Sequence, residues 1–252
     1  MSGTRLPSRM APATETRSAL IVAHGSPSSP EGPEQAIRTL ARRVTDRLPG
    51  WTVEGTTLAA KGSLEAALAA VPERLPLIFP FFMSDGWFVR EKLPQRIRKS
   101  HSAAFEMLDP LGLDSALHAL CLRHAREAAA AAGLATEKTA LLLAAHGSPS
   151  DPGPSRAVAR AARFIAAAQT FREVRVGFID ETPFLAEAAR IDGPALCLPF
   201  FALRAGHVDI DLPTALAAAS FRGSLLDPIG LHPGVAGLVR SALLRHAARC
   251  AA

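Results

Sequence analysis

The chain repeats itself at long range. Residues 18–27 read Ser-Ala-Leu-Ile-Val-Ala-His-Gly-Ser-Pro, and residues 140–149 read Ala-Leu-Leu-Leu-Ala-Ala-His-Gly-Ser-Pro, which sets His24 and His146 122 positions apart. Pro80-Phe81-Phe82 returns as Pro199-Phe200-Phe201, and Leu93-Pro94 as Leu212-Pro213, each 119 positions on. Asp109-Pro110-Leu111-Gly112-Leu113 returns 118 positions on as Asp227-Pro228-Ile229-Gly230-Leu231. Four blocks in one order are not chance, and the period is far above that of a solenoid. The chain must therefore build two similar lobes. Differences between the copies become an internal comparison that points to where chemistry is kept.

At 252 residues the chain is long enough for two small cores, and 48% hydrophobic residues suit a globular fold. No run of 18 uncharged apolar residues occurs, so no membrane span is expected. Residues 1–17 are polar, lack the apolar core of a signal peptide and read as a disordered leader. Cys121, Cys197 and Cys250 are odd in number and scattered. They fit a reducing cytoplasm and speak against both a disulfide framework and a zinc site. The net charge of +5, carried mostly by arginine, suits nucleic acid, an anionic lipid or an acidic small molecule, or reflects only the Ala/Arg/Pro/Leu-rich composition of a high-GC coding bias. No basic run with interleaved aromatics accompanies it, so nucleic acid is not an expected partner.

Short apolar runs alternate with Ala-rich helical stretches in each copy. Strands are predicted at 19–23, 52–58, 77–81 and 105–108, then at 140–145, 173–179, 195–200 and 223–226. Helices are predicted at 34–48, 64–71, 91–99 and 114–132, then at 155–169, 184–189, 214–218 and 234–251. The strands are continuous apolar runs, as strands buried on both faces should be. The expected architecture is α/β: two tandem lobes, each a small parallel sheet with helices on both faces, and a cleft between them. The expected limits are 18–132 and 140–252, with 133–139 as linker.

Ligands of open parallel sheets bind beyond the carboxyl ends of the strands. His24 and His146 each follow a first strand, before a glycine that permits a tight turn. Aligned without gaps from Pro-Phe-Phe, His207 falls opposite Phe88. The strand ending near Ile179 runs into Asp180-Glu181-Thr182-Pro183, where the first copy has Ala59-Ala60-Lys61-Gly62. The second copy thus places His146, an acidic pair and His207 after three strands; the first keeps only His24. Two imidazoles and a carboxylate suit a borderline divalent ion such as Co2+, Fe2+ or Ni2+, and they can also accept protons near neutrality. His232 and its counterpart Asp114 precede helices and read as caps. His101, His118, His124 and His246 carry no evident role.

At these residues the chain resembles the class II tetrapyrrole chelatases and, more narrowly, the sirohydrochlorin chelatase family (CbiX/SirB-like). The resemblance rests on the strand and His-Gly-Ser of 140–148, Phe-Ile-Asp-Glu-Thr-Pro of 178–183, Leu-Pro-Phe-Phe followed by Gly-His-Val within 198–213, and Asp-Pro-Ile-Gly-Leu-His-Pro of 227–233. It covers the chain from about Ser18. It implies flavodoxin-like lobes around a cleft that takes an acidic tetrapyrrole. It further implies a divalent metal ion as substrate (Co2+, Fe2+ or Ni2+); no organic cofactor, a cytoplasmic location and a monomer or homodimer are the accompanying expectations. Carried over, His146 and His207 are metal ligands and proton acceptors, with Glu181 or Asp180 as acidic partner. His24, Ser148, Trp87, Phe88 and Arg204 become substrate contacts; Arg156 and Arg160 are further candidates for substrate carboxylates. Many two-lobe members keep the histidine pair in the first lobe, whereas here the second lobe carries it.

The expected activity is insertion of Co2+ or Fe2+ into sirohydrochlorin, in siroheme or cobalamin synthesis. The alternative is a metal or tetrapyrrole carrier without turnover. A phosphoryl-transfer enzyme, suggested by a strand-end His-Gly, lacks both an arginine beside the histidine and a GxxxxGK[ST] loop.

Overall fold

The computed structural model describes residues 17–71, 76–101, 104–204 and 206–250. Residues 1–16 of the expected leader lie outside the described residues, and Arg17 opens the first strand. In chain order the first half forms β1 (Arg17–Ala23), α1 (Glu31–Thr45), β2 (Trp51–Thr57), α2 (Ser63–Ala70), β3 (Leu77–Pro80), α3 (Leu93–Ser100), β4 (Glu106–Met107) and α4 (Ser115–Ala131). The second half repeats this as β5 (Ala140–Ala145), α5 (Gly153–Ala167), β6 (Glu173–Phe178), α6 (Leu185–Ala188), β7 (Ala195–Pro199), α7 (Leu212–Ala218), β8 (Ser224–Leu225) and α8 (Val235–Cys250). Two four-stranded parallel sheets result, ordered β2-β1-β3-β4 and β6-β5-β7-β8. This is the flavodoxin-like order, whose switch point lies beside the first strand of each sheet.

Burial explains the apolar runs. β1 sends Ala19, Ile21 and Ala23 to one face and Leu20 and Val22 to the other; β5 does the same with Leu141, Leu143 and Ala145 against Leu142 and Ala144. The outer faces are covered locally, by α2 and α3 residues such as Leu64 and Ile97 and by α6 and α7 residues such as Leu185 and Leu212. The inner faces feed one continuous core shared by both halves.

That shared core comes from an exchange. α4 follows the first sheet in sequence but packs on α5 and β7 of the second, and α8 packs on α1 and β3 of the first. The expected limits 18–132 and 140–252 enclose the strands of each sheet, but the last helix of each half covers the sheet of the other. The stripe Leu117, Leu120, Cys121, Ala125 and Ala129 has helical spacing and is buried. Two similar sheets offer it similar apolar faces, so the pattern alone does not select one. The 133–139 segment contains a single 3-10 turn (Thr136–Lys138), with Thr139 buried behind it.

Helix starts shift by one to three residues from expectation, and two of the shifts are instructive. α1 begins at Glu31 and α5 at Gly153, with Pro33 and Pro154 inside the first turn. Proline is tolerated there because the first amides of a helix have no intrahelical acceptor. Among the described residues, no helix is long and apolar enough to cross a membrane.

Candidate metal centre in the cleft

The segments entering α3 and α7 each make one π turn, Phe88–Lys92 and His207–Asp211. Leu93 N–H donates to Phe88 O and Leu212 N–H to His207 O, five residues back. Pro94 and Pro213, with no N–H to continue the ladder, follow at once. Such a wide turn re-aims the side chains at its start, a device common at functional sites. In the second lobe the re-aimed residue is His207.

His146 follows β5, and the positive φ of Gly147 (+78°) turns the chain so that the imidazole lies over the sheet end. A Cβ at Gly147 would come within 2.8 Å of Glu181 Cγ, so the loop admits no larger residue in this packing. His146 and His207 meet edge-on, with ring centroids 4.3 Å apart and their Nε2 atoms 3.0 Å apart. The far nitrogens are occupied. His146 Nδ1 lies 3.0 Å from Gly147 O and 3.3 Å from Asp180 Oδ2; His207 Nδ1 lies 2.7 Å from Asp211 Oδ2.

These partners dictate the tautomers. Acceptors on both Nδ1 atoms require N–H there, so each neutral ring presents an Nε2 lone pair. Two lone pairs at 3.0 Å repel unless a cation lies between them, either a proton or a metal ion. An ion bonded at about 2.1 Å to each nitrogen would see this pair at close to a right angle, as adjacent ligands of one coordination sphere.

Of the acidic pair, Asp180 is the residue beside His146. Glu181 instead accepts the Ser148 N–H at 3.2 Å and braces the loop. Ser148 Oγ in turn accepts the Asp151 N–H, so Ser148 is engaged in the loop itself. Asp211 was not singled out in the sequence, although its place four residues after His207 at a helix entrance was a readable signal.

The histidines open onto a cavity of about 620 Å3, lined among others by His24, Ser26, Phe88, His146, His207 and Ile210. His24, Phe88 and the second-lobe pair therefore do share one cleft. A second cavity of about 460 Å3 borders the same Ser26, Ser28, Gly206 and Ile210 and reaches Arg204. Both volumes are in the range of small-molecule sites. The two halves are also bridged next to Phe88: Asp151 Oδ2 accepts the Trp87 N–H at 3.2 Å, against Gly86. Trp87 is 51% exposed at the rim, with Lys92 Nζ 5.3 Å from its ring centre. Arg204 lines the second cavity, where its half-exposed guanidinium pairs with Asp209 (3.1 Å) and Asp227. Arg156 and Arg160 lie exposed on α5.

The CbiX family model matches residues 18–128 and again residues 140–246, one match for each half. The chain belongs to the CbiX family. Its structure is similar to that of CbiX, described as the terminal enzyme of siroheme biosynthesis in denitrifying bacteria, with 42% identity over 91% of this chain and 99% of that one and a TM-score of 0.83. The fold also matches SirB from Bacillus subtilis with Fe3+, at 17% identity over 90% and 94% of the two chains and a TM-score of 0.71. It matches the sirohydrochlorin chelatase SirB from Bacillus subtilis subspecies spizizenii in complex with cobalt, at 16% identity over 90% and 93% and a TM-score of 0.66. No curated protein matches the chain in sequence.

Proposed function

We propose that this CbiX-family chain inserts a divalent metal ion, Co2+ or Fe2+, into sirohydrochlorin, and that the second lobe performs the chemistry. The observation that carries the reading is the His146–His207 pair, whose Nε2 atoms converge in the cleft while Nδ1 partners fix both rings. The 42%-identical CbiX acts in siroheme biosynthesis, and the SirB structures hold iron or cobalt.

The geometry suggests an exchange balanced in charge. The ion first binds both Nε2 atoms and sheds part of its water shell. The macrocycle enters from the side of the second cavity, which adjoins the first at Ser26, Ser28, Gly206 and Ile210. Its flat face lies against Phe88 and the exposed ring of Trp87. As the ion passes to the pyrrole nitrogens, the two freed Nε2 lone pairs take up the two pyrrole protons. Asp180 and Asp211 stabilise the imidazolium rings that form. A cleft that fits a bent ring better than a flat one lowers the barrier further.

The test follows the free macrocycle by its absorption, with Co2+, Fe2+ and Ni2+ supplied in turn. The expected result is metal-dependent loss of the free-ring spectrum, faster than without protein and over many turnovers. Stoichiometric binding with no acceleration would assign the chain to the carrier reading instead.

A further inference from the structure

We propose a second metal site, outside the cleft, formed by Glu106, His246 and Cys250. His246 and Cys250 stand four residues apart on α8 and therefore share one face of that helix. The helix exchange carries this face onto the first sheet, where β4, the edge strand, supplies Glu106. His246 Nε2 meets Glu106 Oε2 directly. Cys250 Sγ lies 3.6 Å from that nitrogen and 3.7 Å from that oxygen. All three contacts use atoms that ligate metals, and they converge on one point. Donors held tetrahedrally at 2.0–2.3 Å from an ion lie roughly 3.5 Å apart. Both sulfur distances already meet that requirement, and the histidine–carboxylate contact has only to open.

The donor set defines the ion. Thiolate, imidazole and carboxylate together select a borderline divalent metal of the Zn2+ or Co2+ kind over Mg2+ or Ca2+. The His246 side chain is 16% exposed and Cys250 is exposed, so the site is partly dry with an open approach. A second cluster, His124, Glu127 and His232, also brings its ligand atoms within 4.8 Å of one another. There, however, His232 Nδ1 accepts the Gly234 N–H at 3.0 Å and caps α8. Its proton thus stays on Nε2, and no free lone pair remains to bind an ion. The scattered cysteines argued against a zinc site in sequence. A site assembled from β4 and α8, 140 positions apart, leaves no spacing motif to find.

The test is titration of the whole protein with Co2+ alone, read by sulfur-to-cobalt charge-transfer absorption. Among the described residues that line the cavity at the histidines none carries sulfur, and Cys121 and Cys197 are buried, with thiols pushed up to about 12 by desolvation. One equivalent of the band is expected in the wild type and in His146→Ala/His207→Ala. None is expected in Cys250→Ser, an exposed and nearly isosteric change whose circular dichroism should be unaltered, and the stoichiometric band should likewise be lost in His246→Ala, whose cleft histidines still bind their ion. Absence of the band in the wild type, or its survival in Cys250→Ser or His246→Ala, overturns the site and leaves an ion pair joining α8 to β4.

Discussion

The two rims of the cleft carry the same backbone and opposite chemistry. His24 and Phe88 meet with centroids 4.4 Å apart and planes at 73°; His146 and His207 meet at 4.3 Å and 79°. Each strand-end histidine turns its Nδ1 to the next carbonyl, at 3.1 Å in the first lobe and 3.0 Å in the second. The backbone amides of Ala59 and Asp180 bind the carbonyls of His24 and His146, fixing those two positions as equivalent. What differs is the side chains: Phe88, Lys92 and Ala59 stand where the second lobe has His207, Asp211 and Asp180. Even the neighbouring ion pair is reversed, Asp85–Arg90 in one and Arg204–Asp209 in the other. A shared scaffold thus holds an apolar wall on one side and two converging imidazoles with carboxylate partners on the other.

The comparison breaks first if the lobes prove interchangeable. His146→Ala and His207→Ala should each lower the insertion rate by about 100-fold or more, the usual worth of a positioned acid–base group. Phe88→Ala should act on KM for the macrocycle and largely spare kcat. Equal losses of kcat on the two rims would remove the asymmetry.

Asp211 sharpens the contrast. Asp211→Asn keeps the shape of the His207 partner but removes its charge. Metal affinity should fall by about 10- to 100-fold, as when other outer-sphere carboxylates are lost. Isothermal titration with Co2+ measures it, and an unchanged affinity would deny Asp211 a positioning role.

The reverse experiment builds the site where it is missing. Phe88→His/Lys92→Asp places an imidazole and its carboxylate opposite His24, on a π turn already formed. In a Cys250→Ser background, one additional Co2+ equivalent is expected. Failure to gain it would mean that more than these side chains separates the rims.

The smallest effect concerns stability. In the first lobe Glu34 fixes the loop after β2: its carboxylate accepts from Thr57 N (2.7 Å), Thr57 Oγ1 (2.8 Å), Arg38 Nε (2.9 Å) and Ser63 Oγ. At the equivalent place in α5 stands the exposed Arg156. Burial draws the Glu34 carboxyl upward, but the hydrogen bonds from Ser63, Thr57 and Arg38 outweigh it and hold it below its ordinary 4.5. A depressed carboxylate stabilises the fold above the unfolded value and loses that contribution as pH falls through the folded one. The Tm advantage of wild type over Glu34→Gln should therefore be constant near neutrality and shrink below about pH 4.5. A difference independent of pH would mean the hydrogen bonds do not need the charge.

Much of this was legible in the chain. Continuous apolar strands between helical stretches foretold the parallel sheets, and the gapless alignment of Phe88 with His207 foretold which rim keeps its imidazoles. Three features were not. The exchange of α4 and α8 is invisible because similar sheets present similar faces. The roles of Asp180 and Glu181 depend on which way a turn points two adjacent carboxylates. The partners of Ser148 and Arg204, namely the Asp151 N–H and the carboxylates of Asp209 and Asp227, are ones that only the folded loops bring close.

The central claim is that one ion is held by both second-lobe histidines. X-ray absorption at the cobalt edge of the Cys250→Ser protein, loaded with one equivalent of Co2+, tests it most directly. The expected spectrum contains two imidazole ligands, falling to one in His207→Ala and unchanged in Phe88→Ala. A single imidazole in the parent protein, or two that survive loss of His207, would contradict the account.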